Sequence, residues 1–428
     1  MTRPLPPPEE VAFGIRSYLT ATPGIGGRLR AEPEDFCVIE LGEGPTPLAE
    51  GAHTAARVRL RNWETNRFAG AAANVLGIHR DQVAFAGMKD KRAVTEQWFT
   101  FKCPPAALAR LATLEDVEVL ESYPTRKAHF AGAHKGNRFV LRVRGSTGDR
   151  GAVASTLDAI AAEGGVPNYF GPQRFGGGFR PVTHRIGKAL VEGDLEEAVR
   201  LFVGNPHPGE REEAQAARAV YEQTRDPAAA LAVYPQALDP ERSVLQRLVK
   251  RPGDWQYALQ ALPHNLLQLF VHAHQSWLFN LILSARLEQG LGLRTAHVGD
   301  LVMGMDHDGV RTHRVGGLNQ ERVQRELDLG RAVLTAPLLG HASPLAEGLP
   351  GEVERRVLEE EGVRADDFRV PELPEVHSTG RRRGILQPVR DLGVTWTGDD
   401  PVFSFSLGKG SYATVVLREV TKGPVQGM

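Results

Sequence analysis

The hydrophobic pattern changes its period twice along the chain. From about Gly27 to Gly145, apolar positions recur every second residue or form short solid runs. Residues 36–39 (Phe-Cys-Val-Ile) and 56–60 (Ala-Arg-Val-Arg-Leu) predict strands, the second alternating apolar with basic side chains. Residues 97–102 and 137–144 predict two more; in the latter, Phe139, Leu141 and Val143 share one face, and Arg138, Arg142 and Arg144 the other. Residues 83–86 are a short apolar strand that runs into Gly87-Met88-Lys89-Asp90. One helix interrupts this region, at 65–77, with Thr65 as its cap and Phe68, Ala72 and Val75 or Leu76 on one side. From about Gly151 to Arg369 the period lengthens, and 153–163, 183–203, 209–225 and 264–289 predict helices, the last long and amphipathic. Strand signals then return at 402–407 and 412–418, split by Gly408-Lys409-Gly410. Strands at both ends of a helical middle predict a discontinuous domain whose terminal segments share one sheet, with a second domain inserted. The final ~45 residues are few for a core of their own. The first ten residues hold four prolines and read as a flexible arm.

Composition narrows the function classes. The chain has 428 residues with 51 basic and 52 acidic side chains, so net charge gives no argument for a polyanionic partner. Local charge does. Residues 121–150 hold seven Lys and Arg (126, 127, 135, 138, 142, 144, 150) against two acids, and residues 377–390 hold four arginines and no acid. Concentrated basic segments in a neutral chain are the footprint expected for a polyanion, or else solvated strand faces balanced elsewhere. Two cysteines exclude a disulfide framework and a cysteine-rich zinc site, and point to the reducing cytosol. No run approaches the ~18 apolar residues of a membrane span, and MTRPLPPPEE lacks the apolar core of a signal peptide.

Metal chemistry finds no support: His272 and His274 lie two apart, on different faces of a helix, and there is no HExxH. The segment Gly171-Pro-Gln-Arg-Phe-Gly-Gly-Gly178 is neither a Walker loop nor a dinucleotide fingerprint. With Asn168, Tyr169, Phe170, Arg174 and Phe175 it reads as a structural turn or as an RNA contact, where rings stack on bases and arginine grips phosphate. The sharpest local feature is Phe85-Ala-Gly-Met-Lys-Asp90-Lys-Arg-Ala-Val-Thr-Glu-Gln-Trp98. An apolar strand ends at a glycine turn and presents Asp90 among Lys89, Lys91 and Arg92. Such cations favour an ionised carboxylate, either as a nucleophile or base or in an ordinary salt bridge.

At this motif the chain resembles the TruD family of tRNA pseudouridine synthases. Glu32-Pro-Glu-Asp-Phe-Cys-Val-Ile-Glu40 is similar to the family's N-terminal motif, and Ala86-Gly-Met-Lys-Asp90 through Ala93–Trp98 to the motif of the catalytic aspartate. Lys135-Gly-Asn-Arg-Phe139, Val166-Pro-Asn-Tyr-Phe-Gly-Pro-Gln-Arg-Phe-Gly176, Gln275-Ser-Trp-Leu-Phe-Asn280 and Gly410–Thr414 with Leu417-Arg-Glu419 follow in the family's order. One position departs: Arg30 stands where the family has lysine, keeping charge but not shape.

The resemblance implies an α+β fold: a pseudouridine synthase catalytic domain with a mixed, largely antiparallel sheet, interrupted by an inserted α/β TRUD domain. It places the catalytic domain at 1–165 and 376–428 and the insertion at 166–375. It implies isomerisation of uridine to pseudouridine, at position 13 of tRNA, with no cofactor and no metal; the cysteine usage points to the cytoplasm, and the even charge balance without a heptad or an obvious apolar patch to a monomer. Asp90 would be the catalytic carboxylate. Phe139 would stack on the flipped uracil, and Asn137 would hold the base or Asp90. Arg30 and Lys89 are the cations for phosphate or for Asp90, and Asn168, Gln173 and Arg174, with Tyr169 and Phe175, would shape the substrate site. Gln275 and Asn280, on the long helix, read as structural hydrogen-bonders. Two other readings compete: an RNA-binding protein without turnover, and a glycoside hydrolase, which would need two cooperating carboxylates, whereas the adjacent Glu34 and Asp35 would point apart on a strand.

Overall fold

The computed structural model describes residues 4–129, 132–177, 180–304 and 312–423. Gly178 of the glycine-rich segment and residues 1–3 of the proline-rich start lie outside them. The chain divides into two compact units. One gathers Leu19–Val166 with the C-terminal segment from Gln387; the other gathers Leu5–Tyr18 with Pro167–Leu386.

The first unit is built on an eight-stranded sheet among the described residues. Its N-terminal elements are β1 (Phe36–Leu41), β2 (His53–Arg61), α1 (Thr65–Leu76), β3 (Val83–Phe85), β4 (Val94–Phe101), β5 (Val117–Thr125), β6 (Gly136–Arg142) and α2 (Arg150–Glu163). The C-terminal strands Arg390–Thr397 and Asp400–Gly408 complete it, the latter pairing antiparallel with β6. The path runs from these strands through β6, β1, β4 and β2 to β5, and β1 with β4 is its one parallel pair among the described residues. β3 takes the part of β4 that β1 leaves free, pairing at Phe99–Phe101 while β1 pairs at Val94–Glu96.

The core of this unit follows from strand alternation. Ala56, Val58, Leu60, Phe99 and Phe101 meet Phe68, Ala69, Ala72, Ala73 and Leu76 of α1, all at most 5% exposed. The helix is capped differently from its sequence reading: the Glu64 carboxylate, not Thr65, accepts from the Asn66 and Arg67 amides. Thr65 is the first helical residue, and its hydroxyl is left for another partner. Gly136, at the start of β6, is required by close approach, since a Cβ there would lie 2.1 Å from the Leu407 carbonyl oxygen.

The second unit is built around the buried helix His264–Glu288. It carries an antiparallel four-stranded sheet of Leu301–Gly304, Thr312–Arg314, Ala332–Leu338 and Arg381–Gly384. Arg381–Gly384 pairs with Ala332–Leu338, so this unit runs past residue 375, where the resemblance would end it. Of the first ten residues, expected as an arm, Pro8 to Glu10 are helical and lead into buried chain. Pro8–Ala12 is a short helix, and Phe13, Ile15 and Tyr18 are buried in this unit, Phe13 stacking on Phe175 at 4.9 Å.

Two further expectations change. The helix expected over 183–203 is two, Thr183–Val191 and Leu195–Val203, because Gly193 turns left-handed (φ +77°) and Asp194 caps the second. The strand expected over 412–418 is a helix, Ala413–Thr421. Its β-branched run Thr414-Val415-Val416 favours a strand locally, but every residue of the helix is buried, and packing overrides that preference.

His184 and His274 sit in an aromatic stack of the second unit. His274 is fully buried between Trp277 and Phe368, at 5.8 and 6.1 Å. Burial lowers His184 to about 4 and His274 to about 3. Between pH 6.5 and 4 the unfolded chain therefore binds protons that the folded chain refuses, and stability falls as pH falls. For His274 the loss at pH 4 is about 3 kcal/mol. His274→Phe should flatten this acid limb in urea unfolding followed from pH 7 to 4; an unchanged limb would refute the assignment.

Candidate active site

Asp90 lies in the loop between β3 and β4, and tertiary contacts fix its surroundings. One Asp90 oxygen, Oδ1, lies 3.1 Å from Arg30 Nη2; the Asp90 side chain is 45% exposed and that of Arg30 14%. Arg30 takes a left-handed backbone (φ +53°) and lays its guanidinium over the Phe36 ring, 3.8 Å from the centroid. Phe36 meets Phe139 edge to face at 6.3 Å, and Phe139 stacks on Phe405 at 5.6 Å. The sheet register makes this set contiguous: Val38 opposes Phe139, Glu40 opposes Asn137, and Phe405 and Leu407 face the same two residues from the other side. The side-chain oxygen of Asn137 is buried with no partner among the described residues.

Lys89 turns the other way. Its side chain is 3% exposed, and Nζ lies 2.8 Å from Glu40 Oε2. Its amide donates to the Thr65 hydroxyl at 2.9 Å, the partner that hydroxyl has in place of capping α1. His129 Nε2 lies 3.8 Å from Glu40 Oε1. Burial by itself raises Glu40, but His129, Lys89 and the Trp98 amide outweigh it and hold the carboxyl below the usual range. Arg92 donates to the Ala31 carbonyl at 3.1 Å, tying the far side of the loop to the segment that carries Arg30.

The sequence reading missed Glu40, Thr65 and His129. Glu40 had a signal: it occupies the inward phase of β1, after Phe36 and Val38, where a carboxylate needs a buried partner. Thr65 and His129 had none, because their partners are distant in sequence.

The remaining candidates belong to the second unit. The Asn168 amide donates to the Gly384 carbonyl and accepts from Arg383, both at 2.7 Å. Arg174 donates to Ser276 at 3.0 Å, and Gln173 is exposed. Asn280 brackets the Phe170 backbone, and Gln275 bonds Leu339 and Ser378, both structural. The arginine run is largely internal: Arg382 is buried on Glu354, and Arg383 lies over Phe170. Of the basic segment at 121–150, Arg142 and Arg144 pair with Asp400 and Asp35. Arg126, Lys127, Lys135 and Arg138 are exposed with no ion pair among the described residues. Glu34 and Asp35 are each held by an arginine, Arg61 and Arg144.

A family model described as tRNA pseudouridine synthase D (TruD) matches residues 12–420. A protein of Methanosarcina acetivorans named as tRNA pseudouridine synthase D is 38% identical over 435 residues, covering 98% of each chain. One of Natronomonas pharaonis with the same name is 40% identical over 442 residues, covering 98% of this chain and 99% of its own. A crystal structure of a Methanosarcina mazei TruD protein superposes with a TM-score of 0.90 at 37% identity, covering 97% and 98% of the two chains. The chain belongs to the tRNA pseudouridine synthase D family.

Proposed function

We propose that the protein isomerises uridine to pseudouridine at position 13 of tRNA, with Asp90 as the catalytic carboxylate. The observation that carries this reading is the Arg30–Asp90 pair, half open to solvent beside the Phe36–Phe139 rings. In the reaction the N1–C1′ bond breaks, the uracil turns and C5 joins C1′; C5 gives up a proton and N1 gains one, so product and substrate are isomers. Arg30 orients one carboxylate oxygen and leaves the other for the flipped nucleotide. Asn137 offers a buried acceptor to a base N–H. Phe139 forms the floor on which the uracil stacks. Lys89 is a positioning residue, holding the loop through Glu40 and Thr65, not a contact to substrate. Asn168 and Arg174 serve the fold of the second unit, and Gln173 remains available to RNA.

The test is an unmodified tRNA transcript incubated with the protein and mapped for pseudouridine by carbodiimide-block primer extension. A stop reporting position 13 is expected; product at another uridine would refute the position, and no product the reaction. Phe139→Leu keeps apolar volume but loses the ring. It should slow single-turnover formation about tenfold, within the ~1–3 kcal/mol of a base–aromatic stack. An unchanged rate would remove the stacking role.

A further inference from the structure

The first unit has a concave surface beside the segment that Arg92 of the Asp90 loop bonds. An open groove of about 610 Å³ is lined by Gly26, Gly27, Arg28, Ala31, Arg144, Gly145 and Gly423. Four of these seven residues are glycines. Arg28 and Arg144 exchange amide-to-carbonyl bonds at 2.9 and 3.0 Å. Gly27 has φ +102°, and a Cβ there would lie 2.5 Å from Cγ1 of the buried Val143, so packing beneath the groove holds this position as glycine. Arg144 is balanced by Asp35 and Glu32. Arg28 is exposed and has no ion pair among the described residues, so it is the groove's uncompensated cation. At the other end, Ala31 accepts from Arg92 of the catalytic loop and directly follows Arg30, the partner of Asp90.

We infer that this groove holds the sugar–phosphate backbone of the RNA next to the target uridine, with Arg28 on a phosphate. The inference rests on the synthase reading. A glycine-rich lining lets a backbone approach closely, an open groove lets a polymer pass through, and a lone guanidinium on its wall suits a phosphodiester.

The experiment measures binding of an unmodified tRNA transcript across a range of KCl concentrations, for the parent, Arg28→Ala and Arg28→Lys, with single-turnover rates at saturating protein. Arg28→Ala should weaken binding at low salt and reduce the slope of log K against log[KCl] by about one. Arg28→Lys should keep the slope. Parent-like affinity and slope in Arg28→Ala would overturn the inference, as would a loss that Arg28→Lys fails to restore. If the parent binds tRNA but forms no pseudouridine, the synthase reading fails instead, and the slopes still decide the groove.

Discussion

Asp90→Asn is expected to fold as the parent does, bind tRNA with parent affinity, and form pseudouridine about 10⁴-fold more slowly, near 5.4 kcal/mol of barrier. The amide keeps the shape of the carboxylate but loses its charge, and with it the capacity to act as nucleophile or base. Stability should barely change, because Asp90 is half exposed and its pair with Arg30 is of the kind worth at most ~1 kcal/mol. Thermal unfolding and single-turnover kinetics on the same preparation separate the two effects. A folded variant with the parent rate would end the catalytic assignment.

Lys89→Ala is expected to destabilise the protein by roughly 3–5 kcal/mol, since it strands the Glu40 carboxylate where 2% of the side chain is exposed. Removing both charges with Lys89→Met and Glu40→Leu should recover most of that stability. It should not recover the rate. Without the Nζ–Glu40 tether the loop is held by fewer bonds, and a shift of ~1 Å at Asp90 costs on the order of 10²-fold. Denaturant unfolding with single-turnover rates for the single and double variants checks this. A stable double variant with the parent rate would show that the tether does not position Asp90. A folded variant whose binding loses about one unit of salt slope would make Lys89 a phosphate contact after all.

Much of the first unit was legible from local pattern. Alternation located β1, β2, β4 and β6, and the run from Phe85 to Trp98 marked the loop that carries Asp90. Both signals depend on residues adjacent in sequence: a strand shows its two faces within six residues, and a glycine turn after an apolar strand needs no distant partner. The same local logic failed where packing outweighed propensity, as in Ala413–Thr421, whose β-branched residues are buried all round in a helix.

What each candidate side chain does was not local. Lys89 and Asp90 are neighbours in sequence and equally charged in magnitude, yet one is buried on Glu40 and the other faces solvent on Arg30. Arg382 and Arg383 look like a basic patch but are spent on Glu354, Asn168 and Phe170. The sequence by itself determined most of the strands of the first unit, the loop that carries Asp90 and the family. Only the tertiary structure decided which cation orients Asp90 and which anchors its loop, because a buried charge goes where a distant chain segment supplies its counter-charge, and that pairing leaves no mark on the pattern around it.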